Sequence, residues 1–525
     1  MAYGPDTKEI LKEAKGDAQP LPTDTESDSE TILRIPAPSS DPRDPLNWPF
    51  RKKCLLTGAL TIAVFYSYTI PFNGQIQLIQ QAALYHKNTV EITYFNSAAV
   101  AGTILGPWAA LPLAKLIGRS AAILYSLTGC LAAQIWACNM RSPDQYGAYF
   151  AAKVFMGFFG VMTTIFAPLY VVDIWFLHQR GRAFTAIGVA LSLGASASSS
   201  FSGFITASHP WWYEYWWTIS LNAVVMVIVF LLLEETSWDR RDGAVNIDLS
   251  LDGWWSNRFK TFFPGTQAVT KPTKREMIDS VLVPLKIAVS PTMLLIASYD
   301  TISFGFFIGL NSLIPLWLQN PVSKGGYGFT VLENAGFSMI HFMGLFLSQF
   351  YGQLVSDKIP LWLCARRGGE WIPELRLHVL WLPGLFMSPI GLALIGCAMQ
   401  YHLHWIVMGF GSLFVTFAAL QSVPVTMNYV AECFRTHTTA GTIALLSMRQ
   451  LLGLTITFYI TPWTAAVGVG WVYGMMAFFS VFAFLFIVVL MWKGHAIRAA
   501  SPFSTSVSEE GTTVVKRRME SAISA

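Results

Sequence analysis

Twelve long apolar runs, separated by short polar stretches and one long one, set the pattern of this chain. They fall at about 54–72, 92–113, 119–140, 147–171, 183–205 and 211–233, then at 291–318, 335–356, 377–399, 404–430, 438–461 and 467–492. Each is near the roughly 20 residues an α-helix needs to cross a bilayer core. Barrel strands would be short and alternate in polarity, whereas these runs are long and continuous. The pattern predicts an all-α integral membrane protein: twelve transmembrane helices in two six-helix bundles, 51–233 and 291–492. Between them, 234–290 is a polar linker that carries Arg240, Arg241, Arg258, Lys260, Lys271, Lys274, Arg275 and Lys286.

The ends lack the pattern. Residues 1–50 are rich in Asp, Glu, Ser, Thr and Pro, too poor in apolar side chains to offset the entropy of folding, and predict a disordered tail. Acidic residues from Asp6 to Asp44 with no early apolar core do not make a signal peptide, so the first span is expected to act as its own insertion signal. Residues 493–525 are Ser/Thr-rich and end near Lys516, Arg517 and Arg518, a solvated tail or a weak contact with anionic lipid.

Loop charge orients the spans. One set of loops carries Lys115, Arg119, Arg180, Arg182, Lys358, Arg366, Arg367, Arg376 and Arg435, and the other only Lys87, Arg141 and Lys324. Basic residues are retained on the cytoplasmic side, so both termini and the linker are expected there. Trp211, Trp212, Trp216 and Trp217 are then expected in an aromatic belt at the outer interface.

Composition agrees with a membrane protein. Of 525 residues 53% are hydrophobic and 13% charged, against ~25% charged in soluble domains, and the mean hydropathy is +0.46. A net charge of +4 leaves no footprint for nucleic acid. The six cysteines show no C-x-x-C spacing, so neither a disulfide framework nor a metal site is expected. No nucleotide-binding or hydrolase signature is present, so neither enzyme nor ATP-driven pump is expected, no cofactor is called for, and active transport would draw on an ion gradient.

Small residues mark helix faces that meet protein. Ala98, Gly102, Gly106 and Ala109 recur at helical spacing in the second run, and Gly188, Ser192, Ala195, Ser199 and Ser202 in the fifth. Static packing and sliding contact between halves both fit such faces.

An ionisable group inside a span costs about 2.5–3.5 kcal/mol on insertion scales, which makes each one a candidate site. Asp300 lies nine residues into the seventh run, roughly 13 Å deep and near mid-bilayer. It shares a face with Phe307 and Asn311. A hydrated cavity where the carboxylate titrates or binds a cationic group fits this face, as does a buried Asp paired with a basic neighbour. Lys153 heads a face through Gly157, Gly160 and Thr164, either an electrostatic group or a tight helix contact. Arg449 is a candidate partner for Asp300 or for solute, or a snorkelling side chain. His341, on a face with Ser348 and Gly352, is hydrogen-bonded core or a proton relay. Phe72, Phe304 and Phe307 are candidate walls of a solute pocket.

Several motifs carry a family resemblance over about 41–495. They are Asp41-Pro-Arg-Asp-Pro-Leu-Asn-Trp48 before the first span, Asp173 with Arg180-Gly181 after the fourth, and Glu235-Thr236 with Asp239-Arg240 after the sixth. Ala365-Arg366-Arg367-Gly368-Gly369 and Pro373-Glu374-Leu375-Arg376-Leu377 follow between the eighth and ninth. With twelve spans and a long linker, the chain resembles a fungal major facilitator superfamily transporter, within it the twelve-span drug:proton antiporter group with relatives among yeast polyamine and cation transporters. The superfamily's loop between spans two and three resembles G-x-L-a-D-R-x-G-R-R, its Asp a cytoplasmic gate contact. Here Leu111-Pro-Leu-Ala-Lys-Leu-Ile-Gly-Arg-Ser120 keeps Gly118 and Arg119 but places Lys115 at the Asp, while the related loop of the second half retains Asp357. The proton-coupling motif R-x-x-x-G reads Lys153-Val-Phe-Met-Gly157, and the antiporter motif G-P-x-x-G-P-x-x-G-G reads Gly194 to Gly203 without its prolines.

The resemblance implies a monomeric, plasma-membrane secondary transporter that moves a small organic solute, an amphipathic or uncharged metabolite or drug, by alternating access with proton-coupled export. Uptake by symport or facilitated diffusion, and a non-transporting sensor on the same fold, are the alternatives. Asp300, Lys153, Asn311, Phe307, Phe304, Arg449 and His341 are the expected solute and proton site. Lys115, Gly118, Arg119, Asp357, Gly188, Ser199 and Gly203 are the expected gating residues.

Overall fold

The structure is a computed structural model and describes residues 38–39, 41–238, 253–263, 272–356, 358–367 and 371–501. Eleven helical stretches among them are long and apolar enough to cross a membrane, from Phe50–Phe72 to Val469–Ala499. The helices run longer than the apolar runs that announced them. The second is Thr89–Ile117 and the seventh Pro291–Gln319, because backbone hydrogen bonding continues past the hydrocarbon boundary, while inside it helix is the only way such a segment satisfies its own amides. The eighth run is the twelfth helical stretch and is interrupted. It folds as Val331–Ser338 and Ile340–Val355, joined at Met339, whose N–H bonds the Gly336 carbonyl one residue short of the α-helical partner.

Two glycines set tight reversals between spans. Gly118 (φ +90°) ends the second helix and caps the third, and Gly468 (φ +86°) does the same between the eleventh and twelfth. A side chain at these torsions would be strained.

Within the first half, small residues bring backbones together. A Cβ on Gly102 would overlap the Val154 carbonyl, one on Gly157 the Ala99 carbonyl, and one on Gly194 the Phe65 carbonyl. The second span is thus pressed on the fourth and the fifth on the first. In lipid, where apolar burial between helices gains little, this close approach is what holds them. For Gly102 and Gly157 the static-packing reading is the one the geometry supports.

Polar locks close each half on the linker face. In the first half Arg119 pairs with Asp173, which also accepts from Thr236 at 3.0 Å, and Glu235 accepts from the Ser120 N–H at 3.0 Å. In the second half Arg498 pairs with Glu374 at 3.1 Å and Arg376 with Glu432 at 2.6 Å. Ahead of the first span the chain from Asp41 is a built turn rather than open coil. Asp44 caps Pro45–Asn47, Leu46 is buried, and Lys53 donates to the Leu46 carbonyl at 2.9 Å.

Two linker helices follow the sixth span. Trp254–Phe262 packs on the third and sixth spans, and Lys274–Ala288, opened by a Thr273–Glu276 capping box, packs on the second and eleventh.

Candidate functional site

The halves meet on the face away from the linker through polar contacts. Ser97 of the second span bonds Thr457 of the eleventh, Ser200 of the fifth lies 2.7 Å from Ser338 of the eighth, and Gln319 donates to the Ile76 carbonyl at 2.9 Å. Below them the seam encloses a cavity of about 10 Å³, room for one water. Phe72, Val100 and Ile308 give it apolar walls; Asn96, Ser312 and Gln450 give it polar ones. Asn96 Nδ2, Ser312 Oγ and Gln450 Oε1 are all buried with no hydrogen-bond partner. An unpaired buried polar atom costs about 1–3 kcal/mol, so the three favour any occupant of the cavity, a single water included, that hydrogen-bonds to them.

Gln450 also sits where the eleventh span breaks. That span is two helices, Thr438–Met448 and Leu451–Val467, and the residues between them are Arg449 and Gln450. Interrupted helices gather at transporter sites because their turns free polar groups toward the interior. The break sends the Gln450 side chain to the cavity wall, while its neighbour Arg449 acts electrostatically on Asp300. Arg449 is fully buried rather than snorkelling, with its guanidinium 4.4 Å from the Phe304 ring and a 3.3 Å hydrogen bond donated to Tyr68 Oη across the seam.

Asp300 is fully buried in the seventh span. Ser422 donates to Oδ1 at 3.2 Å, while Oδ2 has no hydrogen-bond partner. Arg449 acts on it electrostatically, without an ion pair between them. The seventh helix, at 29 residues, is roughly 43 Å long against a ~30 Å core. Centred on such a core, the helix would carry Asp300 about 7 Å inside the linker-side boundary.

The structure brings most of the other expected site residues to this region. Phe304 and Phe307 lie 5.6 Å apart, and Phe307 is edge-on to His341 at 6.3 Å. His341 Nδ1 bonds Thr416 Oγ1 at 2.9 Å, and Asn311 Nδ2 turns back to its own helix at the Phe307 carbonyl. Of the aromatic candidates Phe72 lines the cavity; the partners of Phe304 and Phe307 are Arg449 and His341.

Lys153 stands elsewhere, in the core of the first half. Its Nζ donates to the Asn73 carbonyl, and across the Asn73–Gly74 turn the Gly74 N–H donates to Glu214 Oε2 at 3.2 Å. Asn73 further accepts from Ser198 at 2.7 Å, and Tyr149 and Tyr215 join at 2.6 Å beside the pair. Four spans are tied at this turn. Glu214 was hidden in the sequence by the Trp-rich stretch around it, read as an interfacial belt. In the structure Trp211 is buried against Tyr149 and only Trp216 is strongly exposed, so the belt is partly core. An acidic residue amid six aromatics at the head of a span was the signal available. Asn96, Ser312 and Gln450, uncharged, left none.

The expected gating residues scatter. Lys115 donates to the Glu276 carbonyl of the second linker helix at 2.9 Å, a contact no Asp could make. Arg119 is held within its own half by Asp173. Gly203 lies against Ala335 of the eighth span, where a Cβ would come within 2.6 Å of that side chain. Ser199 faces inward to Gln75 at 2.8 Å, and Gly188 has open space on its Cβ side. Asp357 lies outside the described residues, as do Asp239, Arg240, Gly368 and Gly369.

No family model matches the chain. Curated relatives do. The MFS transporter cpaT of Aspergillus oryzae is 23% identical over 476 residues, 89% of this chain and 92% of the relative. The efflux pump radE of Floropilus chiversii is 22% identical over 487 residues, 89% and 85% of the two chains. Among solved structures, the proton:xylose symporter XylE of the major facilitator superfamily aligns at TM-score 0.58 with 14% identity, covering 85% of this chain and 96% of that one. The chain thus has the fold of the major facilitator superfamily, is a multi-pass membrane protein, and over most of its length is similar to curated fungal transporters and efflux pumps.

Proposed function

We propose that the protein exports a small uncharged or amphipathic organic solute by alternating access, driven by protons, with the linker and both termini on the cytoplasmic side. The observation that carries the solute class is the seam cavity. Its unpaired groups are an amide nitrogen, a hydroxyl and an amide oxygen, set among apolar walls and without a charge in the lining. Such a seat favours a guest that offers both donors and acceptors; a polyamine would want carboxylates. The cavity is small because the seam is closed around it, and rocking of one half on the other would widen it.

Proton coupling is assigned to Asp300. Protonated, it loses its attraction for Arg449; ionised, it regains it. Arg449 adjoins Gln450 in the same helix break, so a proton on Asp300 would alter the pose of a residue lining the seat. Lys153 is assigned a supporting part, holding the first half as one rigid body. Export is favoured because two relatives, radE and the probable pump mfs2, are named efflux pumps.

The test is transport by purified protein in vesicles. Solutes that stabilise the protein are offered under proton gradients of either sign. Movement against a solute gradient, driven by protons and weakened several-fold in KM by Asn96→Ala or Gln450→Ala, is expected. A solute that binds but is not moved under either gradient would leave the sensor reading standing instead.

A further inference from the structure

The first linker helix, Trp254–Phe262, is not accounted for by transport. One side of it is fastened to the first half. Arg258 donates to the Leu233 carbonyl and pairs with Glu234 at 3.2 Å, the Phe262 ring packs tilted against Phe230 at 5.4 Å, and Tyr125 donates to the Phe262 carbonyl at 2.7 Å. These contacts fix its depth. Arg258 is level with the end of the sixth span, since Leu232 is that helix's last residue, and Phe262 is level with Phe230, inside it. Tyr125 lies six residues within the third helix, about 9 Å from its linker-side end. The linker helix therefore lies with its C-terminal end alongside the third and sixth spans and its N-terminal end beyond them.

Its exposed surface carries Trp254, Trp255, Phe259 and Phe263, Trp255 exposed to 63% and Phe259 to 51%, with the Arg258 guanidinium 5.2 Å from the Trp254 ring. Trp254 and Trp255 stand edge to face at 4.7 Å, and Phe259 stacks on Phe263 at 4.9 Å. The order matches the bilayer. The two indoles, which keep a polar N–H, sit toward the water, and the two phenyl rings sit a turn deeper. The patch also continues the lipid-facing surface of the sixth span, where Val224, Val227 and Leu231 are exposed. Arg258, buried, is turned inward and used in the lock; Ser256 and the half-buried Lys260 share the outward side with the phenyl rings, and the long lysine stem lets its ammonium reach toward water.

We propose that this helix is a membrane anchor: its aromatic face occupies the linker-side leaflet, with the tryptophans among the headgroups and Phe259 and Phe263 among the acyl chains. The occupant of the face is the lipid of the protein's own bilayer. The linker is thereby held against the first half and the membrane at once.

The experiment uses the full chain in phosphatidylcholine vesicles, with the two exposed cysteines, Cys54 and Cys397, replaced by Ser. Nitroxide labels at Phe259→Cys and Phe263→Cys should collide with dissolved oxygen several-fold more than with a water-soluble nickel chelate. A label at Arg275→Cys, on the exposed second linker helix, should show the reverse. Nickel exceeding oxygen at 259 and 263 would overturn the proposal, and so would low collision with both, which signifies a protein partner or second copy on the face. A lipid-soluble diazirine applied to the unmodified protein decides independently of labelling: adducts within 254–263 are expected, and their absence would overturn the anchor.

Discussion

The buried pair at the Asn73–Gly74 turn offers a quantitative test of how the first half is held. A side chain on Gly74 would lie 3.3 Å from Lys153 Nζ and 3.4 Å from Glu214 Oε1, so the two charged heads flank one glycine. At a separation of about 6 Å and an effective dielectric near 20, their attraction is about 3 kcal/mol. Removing one partner from a buried pair strands the other, at a cost of about 3–5 kcal/mol. Glu214→Gln should therefore destabilise the protein by about 3 kcal/mol, a sizeable part of the roughly 5–15 kcal/mol typical of folded domains. Lys153→Met alone should cost a comparable amount, and the double variant clearly less than the sum. The assay is unfolding of purified protein in detergent, as a double-mutant cycle. Additive effects, within about 0.5 kcal/mol, would show that the charges do not sense each other and would refute the reasoning.

Three further outcomes follow from the glycines and from Lys115. Gly157→Ala should sharply reduce the yield of monodisperse protein on size-exclusion chromatography, because its Cβ would overlap the Ala99 backbone; Gly188→Ala, with nothing within 4 Å, should not. Gly203→Val should push Ala335 away and loosen the far-face closure. Disulfide formation between Ser200→Cys and Ser338→Cys, whose hydroxyls lie 2.7 Å apart, should then fall several-fold. Lys115→Met removes one exposed hydrogen bond to the second linker helix, worth about 1 kcal/mol, and should change the initial transport rate by no more than about fivefold.

The spans were legible because a bilayer filters composition so strongly: a run such as 467–492 has no other fate in a helical protein. Asp300 and Arg449 were legible for the same reason, as charges where charge is expensive. Their surroundings were less so. That Arg449 falls in a helix break is a matter of tertiary packing, since nothing in Ser-Met-Arg-Gln-Leu interrupts a helix by propensity. The eighth span's bend at Met339 is likewise unannounced. Lys153 was legible as a buried charge of the first half, but its counter-charge Glu214, at a helix end among tryptophans, was not. Polar groups such as Asn96 and Ser312 are common in spans at little cost, and only the closed seam reveals that they lack partners. The motif residues that carried the family resemblance, Asp173, Glu235, Glu374 and Arg376, turn out to be locks within each half. They speak to the fold, and the solute seat is built from other positions.

The central claim is that Asp300 couples protons to a solute seated at Gln450. It is tested most directly by comparing two modes of transport in vesicles containing Asp300→Asn. Exchange of labelled for unlabelled solute at equal concentration and equal pH needs only alternating access, and should persist within a few-fold of the unaltered protein. Accumulation driven by a pH gradient needs the titrating carboxylate, and should be lost. Undiminished pH-driven accumulation in Asp300→Asn would contradict the account.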